Sequence, residues 1–90
     1  MSEDKKIVED KIQNIVTFLN ELKDEVSVPK NVKTGILKIV AILQDRNLDK
    51  SMRIDKVTHL FDELHDDSNI DAFTRSQLWN VVSMLESLKA

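Results

Sequence analysis

Phe18-Leu19-Asn20-Glu21-Leu22-Lys23-Asp24 is answered by Leu60-Phe61-Asp62-Glu63-Leu64-His65-Asp66, 42 residues further along the chain. The correspondence reaches outward on both sides. Upstream, Lys11, Ile12 and Ile15 match Arg53, Ile54 and Val57. Downstream, Val28 matches Ile70, Lys33 matches Arg75, Ile36 matches Leu78, Ile39 matches Val81, Val40 matches Val82 and Leu43 matches Leu85. Most matches fall at apolar positions, so the repeated unit is a structural module rather than a duplicated chemical site.

Within each unit the apolar spacing predicts two helices. The first runs from about residue 3 to 25, with Ile7, Ile12, Ile15, Leu19 and Leu22 on one face and Val8 and Phe18 beside it. Val26-Ser27-Val28-Pro29 breaks it. Pro29 lacks an amide hydrogen but suits a first helical turn, so it reads as the start of helix two. That helix carries Val32, Ile36, Ile39, Val40 and Leu43 and stops around Asp45-Arg46-Asn47, where short polar side chains compete for backbone hydrogen bonds. Helix three opens near Asp49 or Ser51, places Val57, Leu60, Phe61 and Leu64 on one side, and closes at Asp66-Asp67-Ser68-Asn69. Helix four buries Leu78, Val81, Val82, Leu85 and Leu88, with Trp79 and Met84 flanking the stripe. Ser68 with Asp71 resembles a capping box in which Asp replaces the usual Glu; Asn69 and Asp71 are the other candidate caps.

Connections of about 3–5 residues force consecutive helices to lie antiparallel. The expected fold is therefore all-α: a four-helix up-and-down bundle over residues 1–90, built from two similar helical hairpins at about 3–45 and 49–88. A helical-hairpin period of 42 residues also suits a HEAT-type solenoid. Two repeats are too few for that architecture, because its terminal units would expose apolar faces.

Composition agrees. With 41% apolar and 32% charged residues the chain reads as a soluble globular domain, and with one Gly and one Pro it lacks the turn residues of a small β-fold. No cysteine is present, which excludes disulfides and Cys-based zinc sites. The polar start, Met1-Ser2-Glu3-Asp4-Lys5-Lys6, has no signal-peptide core, and the longest apolar run is Ile39 to Leu43, so the cytoplasm is the expected compartment. A formal charge of −3 provides no long-range attraction for nucleic acid.

Two stretches carry a resemblance. Val28-Pro29-Lys30-Asn31-Val32-Lys33, followed by Thr74-Arg75-Ser76-Gln77-Leu78-Trp79-Asn80-Val81-Val82-Ser83-Met84-Leu85-Glu86-Ser87-Leu88, resembles uncharacterised protein family zero-one-four-seven, a small archaeal family of unassigned function. The resemblance covers nearly the whole chain. It implies a four-helix fold and an archaeal source, and it brings no catalytic residues. The family tends to have prolines in the loop before helix four, where this chain has Ser68 and Asp71. Helix four must then start by side-chain capping.

Candidate chemistry is sparse. Asp62 and His65 have the i,i+3 spacing of the Glu-x-x-His motif of di-iron bundles, but Asp55, His59, Asp62 and Asp66 point away from the core direction, and the repeat partner of His65 is Lys23. A solvated face is the expectation, with no metal and no cofactor. His59 beside Asp62 and Glu63 suits an exposed histidine with favourable helical neighbours. The serines lack the context of an activated nucleophile, and Gly35 stands alone in a helical pattern, so no phosphate loop exists. Gly35 is expected to permit close helix approach. No enzyme and no small-molecule substrate are therefore expected.

Arg46, Lys50, Arg53 and Lys56 form the densest basic stretch, the segment a nucleic-acid-associated protein would use. Asp45, Asp49 and Asp55 interrupt it, and no aromatic residue lies within it to stack on a base. The surplus is instead apolar. Leu37 and Ile42 on helix two, and their repeat equivalents Trp79 and Met84 on helix four, widen both apolar arcs beyond what a bundle helix needs. The expected function is a non-enzymatic protein-interaction module, binding a protein partner or a second copy through Leu37, Ile42, Trp79 and Met84. A small nucleic-acid-associated protein using Arg46 to Lys56 is the alternative.

Overall fold

The computed structural model describes residues 2–66 and 70–89, with side chains from Lys6 to Asp66 and from Ile70 to Leu88. Four helices form: α1 (Ser2–Lys23), α2 (Lys30–Leu43), α3 (Lys50–His65) and α4 (Ala72–Lys89). Each packs against its neighbour in the chain, and α4 returns to α1, so the four close into a ring in which α1 and α3, like α2 and α4, stand at opposite corners. The early part of α1 lies beside the loop between α2 and α3 and beside the end of α4. Successive helices therefore run antiparallel, as the short connections require. Among the described residues, no helix is long and apolar enough to cross a membrane.

The core follows the repeat. Leu19 and Phe61, equivalent positions of the two hairpins, are both fully buried, while their neighbours Phe18 and Leu60 are both half-buried. The expected faces of α2 and α4 are buried in full: Val32, Ile36, Ile39, Val40 and Leu43 on one, Leu78, Val81, Val82, Leu85 and Leu88 on the other.

Three corrections concern α1 and α3. Ile7 is 51% exposed, because the five-residue step from Ile7 to Ile12 rotates about 140° off the core stripe. Val16 takes a core place the spacing did not assign to it, and Ile54 joins Val57, Phe61 and Leu64 inside, where Leu60 was expected. Gly35 does sit under a close approach: a Cβ there would lie 2.7 Å from Leu64 Cδ2.

The helix starts share one construction. A buried or half-buried apolar residue (Val28, Leu48, Ile70) precedes the cap (Pro29, Asp49, Asp71), and the cap carbonyl accepts the amide four residues on, from Lys33, Arg53 and Arg75, each at 3.0 Å. Pro29 is thus the cap, with extended ψ of 153°, and α2 begins one residue later than expected. Asp49 Oδ1 accepts the Met52 amide at 2.9 Å, which selects Asp49 over Ser51. Asp71 Oδ1 accepts the Thr74 amide at 2.9 Å, so Asp71 starts α4; the Ser68 and Asn69 candidates lie outside the described residues.

The Thr74 side chain beside it and the Thr74 amide that donates to it hold the Asp71 carboxyl below its ordinary value of 3.8. A carboxyl depressed in the folded state stabilises fully above its unfolded pKa and loses that contribution as pH falls through the folded one. Wild type is therefore expected to melt above Asp71→Ala at neutral pH. Part of that gap is expected to disappear in acid below 3.8, as paired thermal melts across pH would show.

Candidate functional site

The residues that widen the apolar arcs do reach the surface. Leu37 is 53% exposed, Trp79 51% and Met84 39%, while Ile42 is half-buried. The ring does not assemble them into one surface, since α2 and α4 occupy opposite corners. Trp79 lies on the α3 side of α4, its ring stacked on His65 with centroids 4.3 Å apart and planes at 28°. His65 is itself fixed: Nδ1 donates to the Phe61 carbonyl at 2.8 Å, and its own carbonyl accepts Arg75 Nη1 at 2.8 Å. Met84 lies on the α1 side of the same helix, at a hollow of about 210 Å³ shared with Lys11, Asn14 and Ile15. Ile42 borders a shallow groove against Asp55, Lys56, His59 and Leu60 of α3.

Further exposed apolar residues went unmarked in the sequence. Phe73 is 53% exposed, Met52 48% and Val26 97%. Phe73 stands about three turns before Met84, which places both on the same flank of α4. The repeat carried a signal: Phe73 is the equivalent of Asn31, so an aromatic ring replaces a polar side chain at a position the fold leaves open.

The basic segment is organised differently from the expectation. Arg46, Lys50 and Arg53 line a cleft of about 490 Å³ with Val8, Glu9 and residues 47–49, while Lys56 lies apart in the groove beside Ile42, and Arg53 is only 3% exposed. Arg53 Nε donates to the Leu48 carbonyl at 2.8 Å, and Nη1 donates to Glu9 Oε1 at 3.0 Å and the Leu43 carbonyl at 3.3 Å. Leu43 is the last residue of α2, and His65, held by Arg75, is the last of α3. Both arginines thus clamp the C-terminal carbonyl of the preceding helix, where a cation also meets the negative end of the dipole. Arg53 is therefore internally committed rather than presented to a phosphate. Arg46 remains largely exposed, 3.7 Å from the same Glu9 oxygen. The sequence signal for these clamps is the recurrence of apolar residue, cap and, four residues after the cap, a cation at Lys33, Arg53 and Arg75. The hairpin alignment hid it by pairing Arg53 with Lys11.

Asp55, His59, Asp62 and Asp66 are all exposed, and His59 Nε2 lies 3.5 Å from Glu63 Oε1 in a solvated i,i+4 pair. Among the described residues, no group of three or more His, Asp or Glu side chains is placed to hold a metal ion.

The pattern of the Uncharacterised protein family (UPF0147) matches residues 1–88. A UPF0147 protein of the archaeon Metallosphaera sedula is 33% identical over 81 residues, covering 90% of this chain and 91% of that protein. The crystal structure of a UPF0147 protein from Thermoplasma acidophilum superposes with a TM-score of 0.82 at 32% identity, covering 90% of this chain and 96% of that one. The crystal structure of MMP1188, a protein of unknown function, superposes with the same TM-score at 28% identity over 87% of this chain and 89% of that one. None of these relatives carries an assigned activity. Matching sequence across nearly its full length and matching the four-helix fold of its solved relatives, the chain belongs to uncharacterised protein family UPF0147.

Proposed function

We propose that this chain is a non-enzymatic protein-interaction module, acting in the cytoplasm without a cofactor. Its principal contact surface is α4, through Trp79 and Met84; Leu37 and Ile42 on the opposite corner form a second, smaller one. The observation that carries this reading is the half-exposed Trp79 in a chain whose core is closed by aliphatic residues and Phe61. Tryptophan buries more area than any other side chain and is enriched at the energetic centres of interfaces. Its stacking on His65 holds the ring in one orientation before any partner arrives, which lowers the ordering cost of binding.

Trp79 is the only tryptophan, so its emission reports directly on the surface. Complexes recovered from source cells with nuclease present are expected to contain a defined protein partner, to shift Trp79 emission to the blue, and to be lost with Trp79→Lys. The circular dichroism of that variant is expected to match wild type. Recovery that depends on nucleic acid and is indifferent to Trp79→Lys would overturn the reading in favour of Arg46 and Lys50.

A further inference from the structure

We infer that the trough between α2 and α3 docks an acidic amphipathic helix from a partner protein. The inference goes beyond the α4 reading above, to a different surface, and commits that surface to one kind of occupant.

The trough is continuous. A groove of about 430 Å³ at Ile42, Lys56 and His59 and a hollow of about 360 Å³ at Thr34, Gly35 and Lys38 meet at Leu60, which borders both. From Asn31 to Ile42 the α2 wall rises about 16 Å, the length of three helical turns. The floor is apolar. Leu60 and Ile42 pack against the core yet stay only half-buried, so part of each side chain remains for a partner. At the other end Gly35 adds no side chain, and Leu64 lies against its bare backbone. A helix fits a furrow of this length between two others, anchored by apolar residues at i, i+3 or i+4, and i+7.

The charges name the chemistry of the occupant. Lys38 on the α2 wall and Lys56 on the α3 wall are both exposed, and neither forms an ion pair among the described residues. The carboxylates that border the trough are engaged within the chain: Glu63 lies 3.5 Å from His59, and Asp55 has a partner of its own. α2 itself carries Lys30, Lys33 and Lys38 and no carboxylate, in a chain whose formal charge is −3. An apolar stripe flanked on both sides by Asp or Glu therefore complements the trough, and a basic helix meets like charge on both walls.

The repeat provides the comparison. The equivalent seam, between α4 and α1, keeps apolar residues at Met84 and Phe18, the counterparts of Ile42 and Leu60. It has Asn80 and Asn14 in place of Lys38 and Lys56, and Gln77 in place of Gly35. The bundle closes that seam without either lysine, so folding does not account for the pair.

The test uses the full chain and two synthetic peptides of about four helical turns. Both carry the same leucine stripe; Glu flanks it in one and Lys in the other. In titrations followed by methyl NMR, the Glu peptide is expected to shift the Ile42 and Leu60 methyls. It is expected to bind at least about tenfold more tightly than the Lys peptide at low salt, and to lose that advantage as salt rises. Lys38→Glu combined with Lys56→Glu, folded by circular dichroism, is expected to reverse the preference. Lys38→Arg combined with Lys56→Arg is expected to keep it. The comparison of peptides on wild type decides the matter even where a variant fails to fold. Equal affinity for the two peptides, unmoved Ile42 and Leu60 methyls, or a preference indifferent to reversal of both lysines overturns the inference. Shifts at the same methyls that grow with protein concentration alone also overturn it, and assign the trough to a second copy. Trp79→Lys is expected to leave Glu-peptide binding unchanged, so this inference and the α4 reading fail separately.

Discussion

Phe61→Ala is expected to remove about 3–5 kcal/mol of folding stability, through lost transfer free energy and the cavity left behind. Phe61 is fully buried, heads the largest enclosed side chains and lies among aliphatic neighbours that can close only part of such a gap. A domain of this length is stable by roughly 5–14 kcal/mol, so the substitution takes a large share of the total. Each kcal/mol corresponds to a fall of roughly 4–8 °C in the melting midpoint, and the variant is expected to melt at least about 12 °C below wild type. The adjacent Leu60 is only half-buried, and Leu60→Ala is expected to cost about 1–2 kcal/mol. Phe61→Leu, which gives α3 the residue α1 has at the equivalent Leu19, is expected to fall between the two. Urea denaturation of the three variants checks the order; equal losses at Phe61 and Leu60 would contradict the core direction described above.

Arg53→Ala is expected to cost about 3 kcal/mol or more, since removing one member of a buried, hydrogen-bonded ion pair leaves its partners unmet. The partners are the Glu9 carboxylate and the carbonyls of Leu43 and Leu48. Arg53→Lys keeps the charge but loses the planar fork that reaches three acceptors, and is expected to cost less than the alanine variant while still being clearly destabilised. Glu9→Gln is expected to be the mildest, because the carbonyl clamp persists and Glu9 is the more accessible member, with 14% of its side chain exposed against 4% for Arg53. Chemical denaturation orders the series. A Glu9→Gln loss equal to that of Arg53→Ala would mean that the ion pair, and not the clamp on the α2 terminus, supplies the stability.

The candidate surface was only half readable before the fold was known. The apolar surplus on helices two and four was visible at Leu37, Ile42, Trp79 and Met84, because helical spacing alone separates a stripe from its flanks. Its division was not. Whether flanks on two helices face each other depends on which corners of the bundle those helices occupy, and α2 and α4 stand diagonally. Phe73 escaped because it precedes the periodic stripe of α4, where a first-turn position has no earlier turn against which to read its direction.

Local spacing was enough for the number and type of elements, their antiparallel order, the repeat, and the buried faces of α2 and α4. Those properties follow from a rotation of about 100° per residue and from turns too short to cross the bundle. Tertiary structure alone decided that Ile7 stays outside while Val16 and Ile54 go in, that Arg53 is an internal clamp rather than a surface cation, and that Trp79 rests on His65. Each depends on what another helix brings to the same place: Glu9 from α1 and the end of α2 for Arg53, and the last turn of α3 for Trp79. Long-range contacts of this kind leave no periodic trace in the chain, because the two partners are related by the packing of the bundle and not by their separation in sequence.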